Sequence, residues 1–269
     1  MLKGAAFTGI SMPNGKSSMV SVVMMLACAL VVPLLSAPAG ASNIDWNTDK
    51  LVSGAENYNG DTITLTANLT ITGSLTLTNV DLKVNTPANG TYTILVDDGG
   101  SLTVLGKSKL HSTSAENHFL FQVRSNGTLI MNNSELHDCG WDDIDNYTMN
   151  PNSDRGLYIE SNNVFITNCT ITHNCVGILV DSSSSPFIRN NNISDNDACG
   201  VEVYSSSTPT IDHNYVGGNL QMAIGWPIGG IMSSGASPTI SNNMITANLD
   251  LYGYWQNYGI YLSGGTPSV

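Results

Sequence analysis

One pattern constrains this 269-residue chain more than any other: a short unit repeats along it. Pro186-Phe187-Ile188, Pro209-Thr210-Ile211, Pro238-Thr239-Ile240 and Pro267-Ser268-Val269 recur at intervals of 23, 29 and 29 residues. Ile-x-Asn-x-x-Ile-x-x-Asn then follows, as Ile188 to Asn196 and Ile240 to Asn248. An upstream copy runs from Ile166 to Asn174, and the Ile211 copy carries His213 and Val216 as variants. Gly177, Gly200 and Gly259 each open a Gly-apolar-x-apolar segment that closes a unit. In the N-terminal half, Gly73, Gly100 and Gly127 open similar segments 27 residues apart. A unit of 22–29 residues, with two or three very short strands, cannot bury its own apolar face. Stacked units can, by forming continuous columns of Ile, Leu and Val. Their strands would lie in parallel register, ~4.8 Å apart.

The recurrent Asn falls at bends between strands, where a short polar side chain tolerates the left-handed conformation. Two ladders of stacked Asn are expected. One contains Asn79, Asn133, Asn168, Asn190 and Asn242, with His213 as the exception. The other contains Asn174, Asn196, Asn219 and Asn248. Composition agrees: 30 Asn, 30 Ser and 24 Thr make up 31% of the chain, against five Glu. These residues favour turns and exposed strand positions over helix interiors, which excludes a helical bundle. A net charge of −12 argues against a nucleic-acid partner.

On these motifs the chain resembles the right-handed parallel β-helix proteins of the pectate-lyase-like superfamily. The likeness is to the general parallel β-helix repeat proteins, among them the NosD-like repeats of exported prokaryotic proteins, and covers about residues 60–269. The resemblance implies an all-β, right-handed, single-stranded parallel β-helix of about eight rungs. The superfamily spans lyases, hydrolases, epimerases, adhesins and surface-layer components, so the fold does not assign an activity. The Gly-His-Gly and Arg-Ile-Lys motifs of polygalacturonase-like hydrolases are absent, as is the Asp-Pro-His of C5-epimerases. No catalytic residue carries over.

Residues 1–41 read as a signal peptide: Lys3 and Lys16, an apolar run from Met19 to Leu35, and Ala39-Gly40-Ala41 as the cleavage signature. Membrane contact is expected only through this segment, if it stays uncleaved. Residues 42–60 are expected to cap the solenoid, which occupies 61–269. Seven Asn-x-Ser/Thr sequons, at Asn68, Asn89, Asn126, Asn132, Asn146, Asn168 and Asn192, would be glycan acceptors in an exported protein. Thr266 to Val269 reads as the opening of a further rung, so a longer chain with a missing C-terminal region is expected, or else a partner chain that covers the last rung.

The segment between the second Asn and the closing strand is short at Asn174–Gly177 and Asn196–Gly200. It is long at Cys139–Gly156, Asn219–Gly230 and Asn248–Gly259. The long loops hold Trp141, Tyr147, Trp226, Tyr252, Tyr254, Trp255 and Tyr258. Aromatic rings beside a cleft suit stacking on sugars. The rung alignment stacks Asp138, His173 and Asp195 on the cleft floor, where a His between carboxylates suits general acid–base catalysis. Asp142, Asp143 and Asp145 form a candidate calcium site, with Asp154 beyond them; no cofactor is otherwise required. Cys139, Cys175 and Cys199 fall in adjacent rungs, predicting one disulfide, Cys139–Cys175 or Cys175–Cys199. Cys169 is read as a small buried hydrophobe. The expected function is an exported, non-enzymatic protein that binds polysaccharide or envelope glycans. The alternative is a polysaccharide lyase or glycoside hydrolase using Asp138, His173 and Asp195.

Overall fold

The computed structural model describes residues 40–141, 152–219, 228–248 and 257–269. The segment read as a signal peptide lies outside them, save its last two residues. The described residues contain strands and no helix, arranged as three parallel sheets. Sheet A stacks nine strands, from Asn43–Trp46 and Thr62–Leu65 to Tyr215–Gly217 and Met244–Thr246. Sheet B stacks nine, from Lys50–Val52 to Asn257–Ser263, and sheet C eight, from Ala55–Asn59 to Thr239–Ser241. The chain visits A, B and C in turn and then returns to A one layer further on. This is a right-handed parallel β-helix, in which the layer formed by residues 42–60 is followed by eight more in the described residues, in line with the expected eight or so.

Alternation in each strand turns one set of side chains inward. Leu77, Val104, Met131, Ile166, Ile188, Ile211 and Ile240 stack in register in sheet C, all at most 3% exposed. Leu82, Leu110, Leu136, Ile171, Ile193 and Val216 form the matching column of sheet A. Residues 42–60, expected as a cap, form a layer of their own that pairs in the same parallel register. There Trp46, 8% exposed, packs edge-on against Tyr58 at 5.6 Å, under the Lys50 ammonium.

Both corners flanking sheet A follow one local rule: a left-handed residue, then a buried one. At the corner entering sheet A, Asn168, Asn190, His213 and Asn242 have φ between 54° and 56°. The residues after the last three, Asn191, Asn214 and Asn243, carry the ladder. Asn191 Nδ2 donates to Asn214 Oδ1 at 3.0 Å, and Asn214 Nδ2 to Asn243 Oδ1 at 3.0 Å. The first expected ladder is therefore displaced by one residue. The left-handed bend turns its own side chain outward and the next one in. At the corner leaving sheet A the expected ladder forms as read. Asn174, Asn196 and Asn219 each donate Nδ2 to the Oδ1 of the next rung's Asn, ending at Asn248, at 2.9–3.0 Å. Gly177, Gly200 and Gly230 lie against this ladder. A Cβ on Gly177 would come 2.5 Å from the Gly200 carbonyl and 3.0 Å from Asn196 Nδ2.

Candidate functional site

The corner between sheets A and B gathers the unusual side chains. The three long loops leave it between Glu135–His137 and Gly156–Ile159, between Tyr215–Gly217 and Ile228–Ser234, and between Met244–Thr246 and Asn257–Ser263. Tyr147, Trp226, Tyr252, Tyr254 and Trp255 lie outside the described residues, as do Asp142, Asp143 and Asp145. Trp141 is described, at the root of the first loop. Its backbone N–H is fixed on the Asp154 carbonyl at 2.6 Å, and its side chain is left 42% exposed.

Asp138, His173 and Asp195 do stack in one column, with φ of 59°, 56° and 55°. They occupy the left-handed slot that Asn and His fill at the other corner, and Gly218 and Ala247 continue it. The backbone conformation therefore accounts for these residue types, since Asn, Asp and His are the non-glycine residues that best tolerate it. Their side chains do not form a relay. The Asp138 carboxylate, nearly buried, is taken by His137 Nδ1 at 2.7 Å. His173 is exposed, and no hydrogen bond joins its ring to Asp195 among the described residues. Asp195 instead lies over the next rung, where a Cβ on Gly218 would meet its Oδ1 at 2.6 Å.

Several residues of this corner were not singled out by sequence. Asp197 sits near His118, His173 and Asp138; burial raises its pKa, against the pull of the two imidazoles. His118 Nδ1 bonds the Gly140 carbonyl at 2.8 Å, beside Trp141. On the adjoining outer face of sheet A, His111 and His137 stack with ring centroids 4.8 Å apart. The signal for that pair was present: Lys109-Leu110-His111 and Glu135-Leu136-His137 are one motif in successive rungs, paired in register.

The outer face of sheet B carries a second polar group. Tyr158, Leu179, Glu202 and Met232 point away from the core in register, yet each is at most 7% exposed. The Tyr204 hydroxyl donates to Glu202 Oε2 at 3.3 Å, and Arg155, 1% exposed, lies in the same electrostatic neighbourhood. Burial, then the Glu202 charge, raises the pKa of both Tyr204 and Cys199. With Arg155, Cys199, Glu202 and Tyr204 closed to solvent, this group braces the sheet rather than offering a surface.

The expected disulfide is absent: Cys139, Cys169, Cys175 and Cys199 are all buried thiols. Cys139 fills the ladder position, where its N–H donates to Asn174 Oδ1 at 2.9 Å, and its side chain joins the interior core. Cys175 lies one position further on, level with Gly140. Cys199 belongs to the separate outward cluster with Tyr158, Val176 and Leu179.

The family whose model matches the chain is described as "Right handed beta helix region", and the match covers residues 67–269. No curated protein and no solved structure matches the chain.

Proposed function

Starting from a chain that belongs to the right-handed β-helix family, we propose that it is an exported, non-enzymatic protein that binds polysaccharide at the corner between sheets A and B. Trp141 carries this reading: an indole 42% exposed, on a backbone pinned to Asp154, beside a polar corner. An aromatic face stacks on the C–H face of a sugar ring. Asp195 and Asp197, both partly exposed, supply acceptors for its hydroxyls. Asp138 has its carboxylate engaged by His137, which favours binding over acid–base chemistry in that column. A binding strip along a solenoid corner suits an extended polymer, because successive rungs repeat at ~4.8 Å.

The test is a glycan array probed with wild type, Trp141→Ala and Asp195→Asn. Wild type is expected to retain a related set of glycans, and Trp141→Ala to lose at least tenfold in affinity for them. Identical profiles for wild type and Trp141→Ala, or no retained glycan at all, refute the reading. One observation favours the enzymatic alternative: burial raises the pKa of Asp197, beside His118 and His173, which is the direction a general acid requires. New reducing ends released from polysaccharide by wild type and lost in Asp197→Asn would establish it.

A further inference from the structure

We infer that the outer face of sheet A holds a divalent transition-metal site built from His111, His137 and Asp138, with Asp81 orienting His111. Each of the three residues offers a donor atom, and these atoms lie within 4.8 Å of one another. The donors come from two adjacent strands and the turn that follows one of them, so the rigid sheet fixes their spacing. This inference does not depend on the polysaccharide reading.

The hydrogen-bond polarity at His111 points to a cation. Its Nε2 lies 2.8 Å from Asp81 Oδ1, and its Nδ1 lies 2.7 Å from the Ser112 carbonyl oxygen. Both neighbours are acceptors. A neutral imidazole has one N–H and one lone pair, so one nitrogen would face an oxygen lone pair to lone pair. Either a second proton or a metal ion resolves the conflict. The second proton makes an imidazolium stacked 4.8 Å from His137, at an interplanar angle of 22°. The metal resolves it without adding charge to the ring. Nε2–H then donates to Asp81, and Nδ1 turns away from the Ser112 carbonyl to give its lone pair to the ion.

His137 repeats the arrangement one rung on. Its Nδ1 lies 2.7 Å from Asp138 Oδ2, so an ion replacing the shared proton would be held by nitrogen and carboxylate together. Nitrogen and carboxylate ligands lie ~2.0–2.2 Å from such an ion. Donors drawn from a span of 4.8 Å reach that distance once one of the two stacked rings turns about its Cβ–Cγ bond, because the lone pairs of near-parallel rings do not otherwise meet at one ion. Asp81 supplies the carboxylate that a ligating histidine's other nitrogen usually holds. Its second oxygen is neutralised by Lys83 at 3.2 Å, on the Nε2 side of the ring. Two imidazoles and one carboxylate select a first-row transition ion such as Zn²⁺ over Ca²⁺, which prefers six to eight oxygens. His111 and His137 are part-exposed, so the ion can reach them.

The test is isothermal titration calorimetry of tag-free full-length protein with Zn²⁺ in a non-coordinating buffer. The variants are His111→Gln, His137→Gln, Asp81→Asn and His173→Gln, each checked for unchanged circular dichroism and melting temperature. Wild type is expected to bind one equivalent, with no competition from millimolar Ca²⁺. His111→Gln and His137→Gln each weaken binding at least tenfold. Asp81→Asn weakens it about tenfold, as loss of an orienting carboxylate does, and His173→Gln leaves it unchanged. No saturable binding by wild type, binding retained in both His111→Gln and His137→Gln, or an equal loss in His173→Gln overturns the assignment.

Discussion

Replacing Asn196 tests whether the asparagine ladder holds the coil together. Its carboxamide is fully buried and makes four hydrogen bonds. Nδ2 donates to Asn219 Oδ1 at 2.9 Å and to the Ile171 carbonyl at 3.2 Å. Oδ1 accepts from the Asn174 backbone N–H and from Asn174 Nδ2, both at 3.0 Å. Asn196→Ala removes all four. At about 1 kcal/mol net for each hydrogen bond the loss is ~4 kcal/mol, and the stranded buried N–H of Asn174 adds about 1–3 kcal/mol. The sum rivals the lower end of whole-domain stabilities, about 5–15 kcal/mol. Asn196→Asp separates hydrogen bonding from volume, because it keeps the shape and the acceptor. At pH 7 it sets a carboxylate oxygen against Asn219 Oδ1 and the Ile171 carbonyl, so it should destabilise at least as much as Ala. Solenoids need not unfold in one step. Guanidinium denaturation is therefore paired with native-state hydrogen exchange. Protection of the Asn174 amide should fall more than a hundredfold in both variants. If Asn196→Asp at pH 7 stays within about 1 kcal/mol of wild type and Asn174 keeps its protection, the ladder is not a stabilising element and the reasoning fails.

Three further outcomes follow from the same geometry. Gly177→Ala sets a Cβ 2.5 Å from the Gly200 carbonyl and 2.9 Å from Ile193 Cγ2. It should destabilise by about 1–3 kcal/mol, as overpacking does, and an unchanged denaturation midpoint would contradict the close packing. Cys139, Cys169, Cys175 and Cys199 should resist a thiol reagent in the native protein and all react once it is unfolded without reductant; recovery of only two would show that a disulfide forms. Burial alone would raise the pKa of Asp212, but hydrogen bonds from Asn242, His213 and Ser241 outweigh it and bring it to about 2. Because the folded value is depressed, its stabilisation is fully present above the unfolded pKa of about 3.9 and is lost as pH falls towards 2. With solvent screening this amounts to roughly 1 kcal/mol. Asp212→Asn should flatten the acid limb of the stability profile between pH 4 and 2, and an unaltered limb would rule the contribution out.

The coil was legible because its demands repeat. Ile166, Ile188, Ile211 and Ile240 mark inward positions at every rung, and Asn174, Asn196, Asn219 and Asn248 mark one ladder in full. The other ladder was read one residue early. Asn168, Asn190 and Asn242 are conspicuous in the sequence, but the buried partner is the residue after the bend. In the sequence Asn190-Asn191 and Asn242-Asn243 each offer both choices, and only the left-handed φ decides between them. The cysteines misled for a related reason. Rung-to-rung proximity of backbones is necessary for a disulfide, but Cys139 and Cys175 differ by one position, and one position in an extended chain reverses the side chain's direction. Buried Glu202 and Arg155 were not legible at all, because nothing in a strand's alternation says that an outward residue will be covered.

The same distinction decides how the polar columns should be weighed. Asp138, His173 and Asp195 occupy a slot whose backbone demands a residue of their kind, so their alignment is weak grounds for chemistry. Trp141, His111 and His137 occupy positions where the coil makes no such demand. In register with the two histidines, sheet A carries Lys83 on one side and Thr172 and Ser194 on the other, and a β-branched Thr would suit such a half-exposed strand position well. An exposed indole beside the corner and a stacked imidazole pair are more than the coil's backbone asks for at those positions. Residues that exceed what the solenoid needs mark the surface where its function is to be sought, and here they converge on the corner between sheets A and B and the adjoining edge of sheet A.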